Sequence, residues 1–262
     1  MLSARGLFTE ILENDDSFAL FCSIAASGET QGGWENGRIA ALVPASQREM
    51  APKIARHGAD EDKHGRIFMA LLRKRGLEPV PVPTDTDYTM LLERAGIGLT
   101  HTRLRADQAL SEDDVVTYLA HSRVTEQRAS EQMRLLLKHF ADHPDIGRAV
   151  RAISRDEDNH LAYCHEELLR LARAGHGRAI HATLRACALA EIRIYREVSI
   201  AVMAHMARVL GWPAWKSAVI RSAIRATYAY ERAIGHHRMT TLTLPTHNLN
   251  ALGTPTPAPA TP

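Results

Sequence analysis

Aromatic residues are scarce: Phe, Tyr and Trp together make up 5% of the 262 residues. Strands draw on aromatic and β-branched side chains, whereas this chain is rich in Ala, Leu, Arg and Glu, the residues that favour helix, so a β-rich fold is excluded and an all-α protein is expected. Cysteine is scarce too. Cys22, Cys164 and Cys187 are odd in number and far apart, which excludes both a disulfide framework and a CxxC metal knuckle and suits a reducing compartment. No charge-free apolar run reaches membrane-spanning length, and MLSARGLFTEILENDDS has no apolar stretch of signal-peptide length before its acidic cluster. A cytoplasmic protein without a membrane partner is expected.

Charge of one sign is also missing, the net value being only +2. It is uneven, with ten Lys or Arg against three Glu between His176 and Arg238. Arginines spread over amphipathic helices serve solubility more often than a nucleic-acid or acidic-carrier surface, and neither partner is expected. The hydrophobic share, 45%, is enough for a proper core.

Apolar residues at helical spacing, punctuated by Pro and Gly, give six helices. The first runs from about Asp16 to Val43. The second opens at the capping box SQRE, Ser46 to Glu49, and ends near Gly76, with Pro52 in its first turns. The proline-rich GLEPVPVPTDTDY begins a long crossover, helical only near Met90 to Ala95. Ser111 and Asp114 cap a third helix that runs to Phe140, and the fourth runs from Pro144 to about Ala174. Two more follow, one from Gly177 to Leu210 and one after Pro213 to about Gly235. The expected organisation is a single helical domain over residues 1–240, with a core bundle over 16–174, extra helices over 177–236, and a disordered Thr/Pro-rich tail over 241–262.

One string is written twice: DEDKH at Asp60 to His64 and DEDNH at Asp156 to His160. Residues three apart share a helix face, so Glu61 with His64, and Glu157 with His160, each present a carboxylate and an imidazole to one point. A single ExxH arises often by chance, but two in corresponding helices suggest the halves of a metal site. A bundle site for two metals also needs a carboxylate at the same depth from each of the other two helices. Glu29 lies 16 residues before Ala45 and Glu61 16 after it, while Glu126 lies 17 before His143 and Glu157 14 after it. This favours Glu29 over Glu35 and Glu126 over Glu131, which remain the alternatives.

The series Glu29, Glu61 with His64, Glu126, Glu157 with His160, around a long crossover, resembles the ferritin-like diiron carboxylate superfamily over roughly residues 16–174. The resemblance implies a ferritin-like four-helix bundle holding two iron ions, with manganese or a mixed pair satisfying the same ligands. Four glutamates balance two divalent ions, and each histidine adds a nitrogen donor. The implied activity is a non-haem diiron oxidase or oxygenase that uses dioxygen to oxidise a small organic substrate, supplied by an external electron donor; a homodimer is one assembly it allows. Ferroxidase or iron-handling activity and rubrerythrin-like peroxide reduction are the alternatives. Asp60 and Asp156 are expected to accept the free N–H of a ligating imidazole, Asp60 for His160 and Asp156 for His64. The third and fourth letters of each string are read as incidental.

His57 stands four before Glu61, as HxxxExxH. Some diiron N-oxygenases carry an extra histidine ligand, but on the other ExxH helix, where this chain has Ile153; His57 is read first as a surface or hydrogen-bonded histidine and second as a ligand. Phe68 and Cys164 follow the two ligand histidines by one turn, leaving no tyrosine at the position expected for radical storage. Glu191, Tyr195 and Glu197 are read as interhelical contacts. The small residues Cys22, Ala25, Ala26, Gly32 and Gly33 near Glu29 leave either an apolar pocket or a close helix contact.

Overall fold

A computed structural model describes residues 3–242, and among them every regular element is helical. The long helices are α1 (Ala4–Glu13), α2 (Asp15–Leu42) and α3 (Ala51–Lys74), then, beyond the crossover, α6 (Glu112–Phe140), α7 (Ile146–Leu171), α8 (Gly177–Val209) and α9 (Ala214–Tyr230). The crossover carries two short helices, α4 (Tyr88–Arg94) and α5 (His101–Arg105), and α10 (His237–Thr240) follows α9. The expectation of a disordered tail falls, apart from Thr241 and Leu242, outside the described residues.

Helices α2 and α3 form one tightly packed hairpin, α6 and α7 a second, and the two meet where α3 contacts α7. Helix α8 packs on α6, α2 and α7, and α9 packs on α8. The helix starts follow from their sequences. Asn14 accepts from the Ser17 amide at 3.0 Å with Asp15 and Asp16 in the first turn of α2, and Ser111 and Asp114 close a full capping box on α6. No described helix is long and apolar enough to cross a membrane.

The expected capping box at Ser46 is corrected. Residues Ala45–Met50 form a 3₁₀ turn, and α3 begins at Ala51 with Pro52 in its first turn. A helix running on from Ser46 would place the Pro52 ring against the carbonyl four residues back, whereas at the first turn its missing N–H costs nothing. The Ser46 hydroxyl instead donates to Glu112 at 3.3 Å. Helix α7 likewise starts at Ile146 rather than Pro144, because His143 Nδ1 accepts the Asp145 and Ile146 amides at 3.3 Å. It ends at Leu171, and a π-type turn with Gly175 at φ 109° redirects the chain into α8. Pro213 caps α9 from outside the first turn, and α9 stops at Tyr230 before a further π-type turn. Neither α1 nor α5 was expected from the pattern.

The core is divided. One apolar cluster takes Phe18 and Cys22 of α2, Phe68 and Leu72 of α3, Leu136 of α6 and Ile153 of α7. The other takes Ile39, Ile54, Leu119 and Leu168 from the opposite ends of the same helices, together with Leu184 and Ile192 of α8. On each of the four helices the proposed ligands fall between these clusters, so a polar layer lies between two dry ones. Cys22, Cys164 and Cys187 are free and buried, and burial pushes the thiols of Cys22 and Cys164 up to about 12.

Candidate metal centre

Two groups of donors meet in that layer. Glu29, Glu61, His64 and Glu157 offer atoms within 4.8 Å of one another, and so do His57, Glu61, Glu126 and His160. Glu61 belongs to both. Each of the four helices contributes, Glu29 from α2, Glu126 from α6 and the ExxH pairs from α3 and α7. Glu29 lies 13 residues before the end of α2 and Glu61 10 after the start of α3, while Glu126 lies 14 before the end of α6 and Glu157 11 after the start of α7. The offset is therefore the same in both hairpins, about 4–5 Å along the axis, and not level in one and staggered in the other.

The two histidines are arranged alike. His64 Nδ1 faces the carboxylates, 3.3 Å from Glu29 and 3.4 Å from Glu157, while its Nε2 lies 3.0 Å from Asp156 Oδ2. His160 Nδ1 is 3.5 Å from Glu126 and 3.6 Å from Glu61, and its Nε2 is 3.5 Å from Asp60 Oδ2. Each aspartate thus stands behind the imidazole of the opposite hairpin. Between them sits Lys63, read from sequence as incidental: its ammonium is 2.6 Å from Asp60 and 2.7 Å from Asp156. The reading of Lys63 is corrected, since three rises of the helix bring it onto the face of Asp60. Asp62 is exposed, and Asp158 pairs at the surface with Ser130 and Arg134.

His57 is neither exposed nor peripheral. Its Nε2 is 2.9 Å from Glu61 Oε1 and 3.3 Å from Glu126 Oε1, and its ring stacks on His160 with centroids 3.8 Å apart. Burial alone would lower its pKa, but the Glu126 and Glu61 carboxylates push it up to about 10. Its Nδ1 meets the Tyr163 hydroxyl at 2.8 Å, which meets Tyr118 at 2.6 Å, and Tyr118 donates to Asn36 at 2.7 Å. These two tyrosines were missed. Tyr163 follows His160 by three, a spacing that places it on the same helix face, whereas Tyr118 reaches it only through packing of α6 on α7.

The competing carboxylates have other partners. Glu35 is 2.7 Å from His101, and Glu131 accepts from Arg238 at 2.6 Å. Glu191 takes two hydrogen bonds from Arg128 at 2.9 Å, Tyr195 lies beneath the same guanidinium, and Glu197 is a surface partner of Arg196. The small residues divide between the two readings offered for them. A Cβ on Gly33 would collide with Asp62 and lie 3.1 Å from the Gly58 carbonyl, a close helix contact, whereas Ala25 borders a cavity of about 370 Å³ beside the four glutamates.

The electrostatics fit cations. Burial and then the Glu61 charge hold the Glu29 carboxyl well above the usual range, and burial and then Glu126 do the same to Glu157. Among the described residues, Glu126 Oε2, Glu157 Oε2 and both ring nitrogens of His160 are buried without a hydrogen-bond partner. Clustered buried carboxylates and lone imidazole nitrogens are costly when unpaired, and metal ions relieve both. The donor set of four carboxylates and imidazole nitrogens suits divalent first-row metals. Scans against family models, curated proteins and solved structures gave no match for this chain. It is an all-helical protein with a buried Glu/His cluster able to hold metal, compatible with a ferritin-like bundle.

Proposed function

We propose that this chain is a ferritin-like dinuclear carboxylate protein that would hold two iron ions and oxidise a small organic substrate with dioxygen, with electrons from an external donor. The observation that carries the reading is the membership of Glu61 in both donor groups. One carboxylate common to two donor groups sets the two candidate sites side by side, as a dinuclear centre in a bundle core would need and isolated mononuclear sites would not. Bound iron would supply the redox chemistry with dioxygen. The chain's residues would do the rest: Glu29, His64 and Glu157 would hold one ion, and Glu126, His160 and His57 the other. Asp156 and Asp60 would fix the imidazole orientations, and the two apolar clusters would keep water from the layer.

An oxidase is favoured over iron storage by the cavity bordered by Glu29, Glu61, Glu126 and Glu157, since storage needs no organic substrate beside the carboxylates. The test is anaerobic ferrous titration followed by oxygen, with metal content, optical spectrum and particle size recorded together. Two irons per chain in a small particle are expected. Failure to take up more than one ion per chain refutes the dinuclear reading, and mineral loading into a large shell assigns the chain to storage.

A further inference from the structure

The walls of the cavity beside the carboxylates are mostly apolar, with Phe21, Ile24, Val198 and Val202 among them. Arg128 is the one cationic residue on its lining among the described residues. That guanidinium is already satisfied. Its Nε and Nη2 donate to Glu191 at 2.9 Å, and its Nη1 and Nη2 donate to Glu231 at 3.1 and 2.8 Å. One positive charge faces two carboxylates, and Asp87 on the same lining adds another negative group. The four glutamates on this lining would balance two divalent ions, so with or without metal the lining offers no excess of positive charge. An anionic head entering here would be desolvated without compensation, whereas a neutral or cationic one would not.

Gly28, next to Glu29, leaves its stretch of the cavity wall without a side chain. Mid-helix glycine costs about 1 kcal/mol relative to alanine, so its presence in α2 calls for a local reason. Close packing supplies that reason at Gly58, where a Cβ would lie 3.0 Å from the Gly33 carbonyl. At Gly28, as at Gly37 of the same helix, a Cβ would meet nothing within 4 Å, but Gly28 alone of the two borders the cavity, so a long side chain there would project into it.

We propose that this cavity binds an apolar-bodied substrate whose polar end is uncharged or cationic, and that the missing side chain of Gly28 keeps its approach to the carboxylates clear. The role as substrate rests on the dinuclear reading; the binding selectivity stands on the cavity alone. N-Phenylnaphthylamine and anilinonaphthalene sulfonate share one aromatic skeleton and differ by an anionic sulfonate. Each is titrated by fluorescence against the full chain of measured metal content, both metal-free and loaded anaerobically with ferrous iron. The neutral probe is expected to bind at one per chain, and the sulfonate about tenfold or more weaker. Gly28→Leu and, separately, Ala129→Leu on the facing α6 wall should each weaken the neutral probe by about tenfold while metal uptake is kept. Trp215→Ala on the exposed face of α9 should leave it unchanged. Equal affinity for the sulfonate, or neutral-probe binding that survives both cavity-filling substitutions, overturns the proposal. Probe binding without metal uptake sinks the dinuclear reading alone, and metal uptake without probe binding sinks the chamber alone.

Discussion

Replacing Arg128 by methionine tests the polar joint between the metal-layer helices and the added C-terminal ones. The guanidinium lies 4.6 Å over the Tyr195 ring and 5.3 Å over Tyr228, and it alone among the described residues offers cations to Glu191, which is 0% exposed. Methionine fills most of the volume but leaves Glu191 with only the Tyr88 hydroxyl at 3.0 Å, and Glu231 with Arg238 at 3.0 Å. Removing one partner of a buried pair costs about 3–5 kcal/mol, because the other charge is stranded. For a chain of this size each kcal/mol moves the melting temperature by about 2–4 °C, so Arg128→Met should melt roughly 6–20 °C lower. Burial already raises the Glu191 carboxyl pKa with Arg128 in place, and the substitution raises it further. A group whose folded pKa exceeds its unfolded one stabilises below the unfolded value, about 4.3 for glutamate, and loses that contribution as pH rises. The deficit in calorimetry should therefore be smallest near pH 4.5 and widen toward pH 8, values set about the glutamate range. Arg128→Met with Glu191→Gln should recover more than half of the loss. A single-variant cost under about 1 kcal/mol, or strict additivity in the double variant, would refute the reasoning.

Glu61→Ala should remove dinuclear loading altogether, whereas Glu126→Ala should leave one ion per chain; elemental analysis after desalting reads the difference, and two ions retained in Glu61→Ala would contradict the shared carboxylate. Asp156→Asn should weaken metal affinity by about tenfold to a hundredfold, and Lys63→Met should follow it in direction while Lys63→Arg restores binding, measured by competition with a chelator. His165 is buried, and burial with Arg123 beside it lowers its pKa to about 4. A depressed histidine gives stability above its unfolded pKa of about 6.5 and loses it as pH falls toward 4, about 3 kcal/mol in full. Acid unfolding between those values should be shallower in His165→Gln, and an unchanged slope would show that His165 protonates freely.

Helices α6 and α9 were legible because Ser111 with Asp114, and Pro213, punctuate them by local chemistry. So were the ExxH pairs, since three-residue spacing fixes a face, whereas the crossing of Asp60 and Asp156 to the opposite imidazoles followed from the resemblance to the ferritin-like superfamily and not from spacing. Depth from the turns drew Glu29 and Glu126 into view even though the first turn was misplaced by the false cap at Ser46. What escaped depended on contacts between helices. His57 carries no mark of burial in its own helix, because Tyr163 and Glu126 arrive from α7 and α6. Lys63 reads as a solvated residue until Asp156 is brought 2.7 Å away. Arg128 finds Glu191 63 positions later, a separation that no periodicity reports.

The ammonium of Lys63 acts like the pin of a caliper. It joins an aspartate on its own helix to one on α7, so sliding of the two hairpins past each other would pull on both contacts. A slip of one residue, about 1.5 Å, would lengthen the 2.7 Å contact with Asp156 and carry that aspartate away from His64 as well. A residue outside both donor groups thereby adds to the register of the two halves at the edge of the polar layer.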